Sequence, residues 1–180
     1  MSSSLEQAGA LILEHFHLNH SGVQETPKRY AKALKELLRG YESDPLVHVK
    51  IFDNVQSSSM IIQKNIHFFS MCEHHMLPFF GVAHVGYIPK GNQVIGLSKL
   101  ARIFDCFACR LQVQERIGEQ FVDFIETQLQ PLGVICRIEA EHLCVTSRGV
   151  RKEYSKMVTT AIRGCFVEPD VRSEFFTGIA

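Results

Sequence analysis

Residues 70–89, SMCEHHMLPFFGVAHVGYIP, join a polar knot to a strand. From Val82 onward apolar and small residues alternate up to Pro89, the period-two pattern of a half-buried strand. Upstream, VHVKIF at 47–52 and MIIQKNIHFF at 60–69 read as extended, with a turn at Ser57–Ser59. Downstream, Lys90-Gly91-Asn92 makes a turn, and two amphipathic helices are predicted at about 98–109 and 112–129, closed by Pro131 and Gly133. VICRIEAEHLCV (134–145) and MVTTAIRGCFV (157–167) then read as strands, and a short helix begins after Pro169. Strand pairs on either side of a helical pair define an α+β domain with an antiparallel sheet.

Residues 5–43 precede this unit and read as helical. Leu5, Ala8, Ile12 and Phe16 follow the spacing of one buried stripe. Thr26 is the expected N-cap of a second helix, with Pro27 at its first position and a stop at Gly40. The expected organisation is an N-terminal helical region, 1–45, followed by a catalytic domain, 46–180.

The chain has 180 residues, 46% hydrophobic and 21% charged, which fits one folded domain and excludes wholesale disorder. Nineteen basic residues balance nineteen acidic ones. No basic excess marks a nucleic-acid or anionic-membrane binder, and no apolar run approaches the ~20 residues of a membrane span. The N-terminus, MSSSLEQAGALILEHF, lacks the basic region and apolar core of a secretory leader. A cytoplasmic location is expected, where six cysteines and nine histidines point to metal binding or catalysis rather than disulfides.

Cys72 and His75 are three apart, close enough to reach one ion from a tight loop. A lone C-x-x-H is weak, but a second feature strengthens it. In a strand over 135–145 alternation places Cys136, Ile138, Ala140, His142 and Cys144 on one face, and Arg137, Glu139 and Glu141 on the other. His142 and Cys144 then sit on an otherwise apolar face, where unpartnered polar groups are costly. The best ligand set is Cys72, His75 and Cys144. Two thiolates and an imidazole suit zinc, and three protein ligands leave a tetrahedral position open for water. His74 and His142 are left to move protons; alternatively, one of them completes a closed Cys2His2 shell.

Cys106 and Cys109 form a C-x-x-C inside a helical pattern and read as core rather than redox residues; Cys165 also reads as core. Gly96 precedes a helix start capped by Ser98, where free N–H groups favour an anion. Lys99 and Arg102 add cationic donors on the first turn. Arg148 and Arg151 follow the metal strand, and Arg29 and Lys32 share a helix face. Such donors, if convergent, fit a polyphosphate better than a monoanion. Glu115, in VQERI, is suited to accept from the ring N–H and exocyclic amine of a guanine; the competing reading is a solvated helix glutamate.

Five motifs occur in one order: SMCEHHMLPFFGVAHVGYIP, VIGLSKLARI, RLQVQERI, EAEHLCV and RGVRK. Over about residues 20–180 they resemble the GTP cyclohydrolase I family. The resemblance implies the tunnelling fold, ββααββ units assembled into a barrel, usually a homodecamer with sites between subunits. It implies GTP as substrate, hydrolytic opening of its imidazole ring, formate release and reclosure to 7,8-dihydroneopterin triphosphate, the first step toward reduced pterins and tetrahydrofolate. By motif, Cys72, His75 and Cys144 are similar to the family's zinc ligands, and His74 and His142 to its acid–base pair. Glu115, with Gln114, resembles the guanine anchor. Ser98, Lys99, Arg102 and Arg148 resemble the triphosphate set, with Arg29 and Lys32 matching T-P-x-R-x-A-K at 26–32.

The chain departs from relatives at Cys109, where many have the first of two arginines, at Glu153-Tyr154, in place of Pro-Gly, and along 55–66. None of these touches the metal or acid–base residues. Two rivals define what must be distinguished. One is the related nitrile reductase of the same fold, which needs a nucleophilic cysteine and a nicotinamide. The other is a zinc-containing module that binds a nucleotide without turnover.

Overall fold

The computed structural model describes residues 3–53 and 58–180. Helices α1 (Ser4–His15) and α2 (Thr26–Leu37) lead into the short strand β1 (Ile51–Phe52), then β2 (Ile61–Cys72) and β3 (Pro78–Ile88). After β4 (Val94–Ile95) come α3 (Leu97–Ala108), β5 (Leu111–Gln112) and α4 (Gln114–Leu129). The chain closes with β6 (Gly133–His142), α5 (Leu143–Thr146), β7 (Met157–Gly164) and α6 (Pro169–Ile179).

The main sheet has the order β5-β2-β3-β6-β7, and β1 pairs separately with β4. Its long strands are all antiparallel, and only the two-residue β5 runs parallel to β2. With α3 and α4 between β3 and β6, this is the ββααββ unit of the tunnelling fold, an α+β architecture.

The helical pair lies on one face. Phe104 of α3, Phe121 and Ile125 of α4, and Cys136, Ile138 and Ala140 of β6 belong to one buried cluster. The apolar alternation expected along β6 thus faces the helices as read. Among the described residues the opposite face is covered at one end, where α6 seats Phe175 beside Ile135 and Phe166. There Gly86 permits the contact: a Cβ on it would lie 2.8 Å from the Phe175 ring. Beyond α6 the sheet is uncovered among the described residues, and Phe69 keeps 60% of its surface exposed.

Several local expectations change. The VHVKIF segment is not one strand: Pro45–His48 forms a 3-10 turn, N-capped by Asp44, and only Ile51–Phe52 pairs. Proline favours a first-turn position and lacks the N–H a strand would need. Thr26 lies inside α2 while Glu25 takes the cap position without a side-chain bond. Similarly Gly96, not Ser98, caps α3, with Lys99 N–H donating to the Gly96 carbonyl at 2.8 Å. The stripe of α1 is buried only in part, since Ile12 and Phe16 remain 47% and 65% exposed. Residues 165–167 leave the last strand as a 3-10 turn after Gly164, whose φ of 60° suits glycine. Of the turn expected at Ser57–Ser59, Ser57 lies outside the described residues, as do residues 55–57 of the segment that departs from relatives.

Candidate metal centre and active site

The metal loop is made where β2 ends and the hairpin to β3 begins. Cys72 N–H donates to the Leu77 carbonyl and Met76 N–H to the Cys72 carbonyl, each at 2.8 Å, with Met76 in the left-handed region at φ 52°. Glu73 N–H donates to the Gln112 carbonyl at 3.0 Å, tying the loop to β5. His74 and His75 project from the turn so formed.

Cys144 arrives by a different route from the one alternation predicts. Strand β6 stops at His142, opposite Phe79. One residue further on, β3 begins at Pro78, and no ladder partner remains. The chain instead coils into α5, closing with Ser147 N–H to the Leu143 carbonyl at 3.0 Å. That coil carries Cys144 to Cys72. One ligand atom each from Cys72, His75 and Cys144 lie within 4.8 Å of one another. Cys72 Sγ is 3.7 Å from His75 Nδ1 and 3.8 Å from His74 Nδ1.

Burial pushes the Cys144 thiol up, and the adjacent Cys72 raises it further. Two sulfurs and an imidazole gathered this way are poor company for one another and good ligands for a soft cation, which would favour both thiolates. The donor set therefore fits a metal ion.

The other candidates divide into two groups. His142 belongs to the first: its ring stacks on Phe79 at 4.4 Å and 4° between planes, and its Nε2 lies 2.9 Å from Gln114 Oε1. Burial pushes its basicity down, and nearby Glu115 opposes this in part. Glu115 is exposed on the first turn of α4 and lines a cleft of about 210 Å³ with Glu119, Thr159 and Thr160. His74 is exposed beside His75, and Arg148 is close enough to Cys144 to act on its thiol electrostatically. Gln114 is buried, 1% exposed, and its amide is engaged by the chain itself.

The second group makes no bond to the cluster among the described residues. Arg29 and Lys32 are exposed on α2, and Ser98 and Arg102 on α3, with Lys99 half-buried beside them. None of these five side chains is hydrogen-bonded or ion-paired to the ligand cluster among the described residues.

Two features had no local signal. Arg116 grips Glu73 with both guanidinium nitrogens, one contact being 3.1 Å, and Phe79 supports the His142 ring. Glu73 and Arg116 are 43 residues apart; only the β2–β5 pairing, Cys72 opposite Gln112, brings them together. Cys106 and Cys109 are buried free thiols, that of Cys109 pushed up to about 11 by burial, which agrees with a packing role. Cys165 is only partly buried, at the margin of the smaller core.

A ββααββ sheet with a Cys-His-Cys cluster at the end of its central hairpin defines a tunnelling-fold protein able to hold a metal ion. The sequence model described as GTP cyclohydrolase I matches residues 5–180. The chain is 48% identical over 164 residues to GTP cyclohydrolase 1 of a Geobacillus species, covering 90% of this chain and 87% of that one. It is 46% identical over 175 residues to the enzyme of that name from Geobacillus kaustophilus, covering 96% and 93%. With that of Clostridioides difficile it shares 47% over 156 residues, covering 86% and 82%. Among solved structures, the apo form of archaeosine synthase QueF-Like is similar at a TM-score of 0.50 and 16% identity, over 61% of this chain and 97% of that one, a likeness of fold alone. The chain belongs to the GTP cyclohydrolase I family.

Proposed function

We propose that this chain is a zinc-dependent GTP cyclohydrolase I. It opens the imidazole ring of GTP by hydrolysis at C8, releases that carbon as formate and recloses the product to 7,8-dihydroneopterin triphosphate. The observation that carries the reading is the Cys72–His75–Cys144 cluster, in a chain matched to this family from residue 5 to residue 180. Its two thiols and imidazole favour zinc over Mg²⁺ or Ca²⁺, which take oxygen ligands. When bound, zinc supplies Lewis acidity and lowers the pKa of a coordinated water to about 7.

The protein groups then have distinct tasks. His142, on the Phe79 ring, exchanges a proton with the imidazole nitrogen of the substrate as the ring opens. His74, exposed at the mouth of the loop, relays protons to solvent. Glu115 accepts from the guanine N–H and amine groups. Arg148 meets the triphosphate from the metal side. Ser98, Lys99, Arg102, Arg29 and Lys32 contribute to the same triphosphate from a neighbouring subunit, a reading supported by the lack of any bond from them to the cluster of their own chain among the described residues. That division supports a homo-oligomer, a decamer by family analogy, with sites between subunits. The N-terminal region 1–45, with Ile12 and Phe16 uncovered, supports the same assembly, and 46–180 forms the catalytic domain. No described helix is long and apolar enough to cross a membrane, and six free cysteines suit a reducing cytoplasm.

The test is a product assay on zinc-loaded protein with GTP, with and without chelator. Equal amounts of formate and, after oxidation, fluorescent pterin are expected, both lost with chelator. Tight GTP binding with neither product would establish instead a nucleotide-binding module without turnover.

A further inference from the structure

The amide of Gln114 is placed where a substrate contact would not need it. The side chain is 1% exposed. Its Nε2 lies 3.1 Å from each of three oxygens: the main-chain carbonyls of Ile138 and Met157, and Thr159 Oγ1. Two of these can only accept, so the side-chain nitrogen must face them, and the Gln114 orientation is settled by the network itself. Its Oε1 is then turned to His142 Nε2, 2.9 Å away. An amide oxygen can only accept; hence His142 must donate from Nε2. Phe79, fully buried, stacks on the same ring within 4° of parallel and removes its remaining rotational freedom.

We propose that Gln114 is a positioning residue for His142: anchored on β6 and β7, its carbonyl holds the imidazole with hydrogen on Nε2 and leaves Nδ1 as the nitrogen free to exchange a proton with substrate. The inference rests on the proton-transfer role given to His142 above, and assigns Gln114 to that histidine rather than to the guanine ring. The device resembles other orienter–histidine pairs in its logic: the partner of one ring nitrogen decides which tautomer the other presents. Glu115, next in sequence but pointing to the surface, is left as the guanine-facing group.

The first test needs no variant. Long-range ¹H–¹⁵N correlation on ¹⁵N-histidine-labelled protein, at mildly alkaline pH, reports each neutral tautomer, with His142 assigned by its loss in His142→Gln. The expected signature is a protonated Nε2 and a lone pair on Nδ1; the opposite tautomer overturns the proposal. The second test is kinetic. Gln114→Leu should lower kcat by at least about tenfold and leave the KM for GTP within about twofold, with a mixed His142 tautomer. A raised KM at unchanged kcat overturns it and makes Gln114 a substrate contact. Should Gln114→Leu fail to fold, the wild-type tautomer still decides. His142→Ala with full turnover would remove the proton-transfer role itself, a separate failure that the tautomer measurement does not share.

Discussion

Glu73 sits between a metal ligand and a candidate acid–base histidine; its carboxylate pairs with Arg116 and has one oxygen 4.0 Å from His74 Nε2. That guanidinium holds the Glu73 carboxyl below its ordinary 4.5. The pair is solvent-accessible, so its worth lies in geometry: a bidentate fork fixes the loop against α4. Arg116→Leu is expected to weaken zinc affinity by about tenfold, the lower range for losing an outer support of a metal site, as read by competition with a chromophoric chelator. Arg116→Lys, which cannot fork, should recover only part of it. His84 illustrates the opposite situation. It is buried on the sheet face under α6, with Nδ1 unpartnered among the described residues. Burial lowers its basicity, Glu139 opposes this, and Arg137 and Lys64 add to it. Its folded pKa thus lies below the ordinary 6.5. Between the two values the unfolded chain binds a proton that the folded chain does not. Stability is therefore full above 6.5, falls as pH drops through that window and levels off below the folded value. Thermal unfolding from neutral to mildly acidic pH should show a shallower fall in Tm for His84→Leu than for the parent; identical slopes would clear His84 of the effect.

At the scale of elements, α6 depends on close approach to the sheet, at Gly86 against Phe175 and at Gly178 against Ile62. Gly86 lets Phe175 reach the sheet, and Lys64 Nζ reaches the Gly178 and Ala180 carbonyls at 3.4 Å, complementing the helix C-terminus. Gly86→Val should displace Phe175 and destabilise the fold by about 1–3 kcal/mol, the cost typical of overpacking. Hydrogen exchange should accelerate first in α6, while α3 and α4 on the other face stay protected. Uniform acceleration would mean that α6 is no separate unit. The same scale explains the arrival of Cys144. A strand cannot outrun its partner, and when β3 runs out at Pro78 the following residues find their hydrogen bonds in a helical turn instead.

For the whole molecule, the sheet face beyond α6, the outer edge of β7 and the N-terminal apolar residues leave surfaces that the described residues do not cover, with Phe69, Ile12 and Phe16 among them. The proposed assembly would cover them and bring Lys99 and Arg102 toward a neighbour's metal loop. Light scattering should accordingly report a multiple of the 20.4 kDa chain, and specific activity should fall on dilution as the assembly dissociates. Activity that stays constant while the particle size falls to one chain would locate a complete site within a single subunit. The long strands, the helical pair and the grouping of Cys72, His75 and Cys144 were legible from the sequence, because period-two and period-3.6 patterns and ligand chemistry are written locally. The sequence also carried the family, since five motifs in order survive whatever the side chains do in space. What it did not carry was non-local. Alternation put Cys144 on a strand because nothing in 135–145 records that β3 ends at Pro78. Gln114 read as a companion to Glu115, since its partners on β6 and β7 lie 24 to 45 residues away. Sequence thus determined which groups are present and the elements that carry them; tertiary structure decided which of them meet, because hydrogen-bond partners and strand ends are set by the chain opposite.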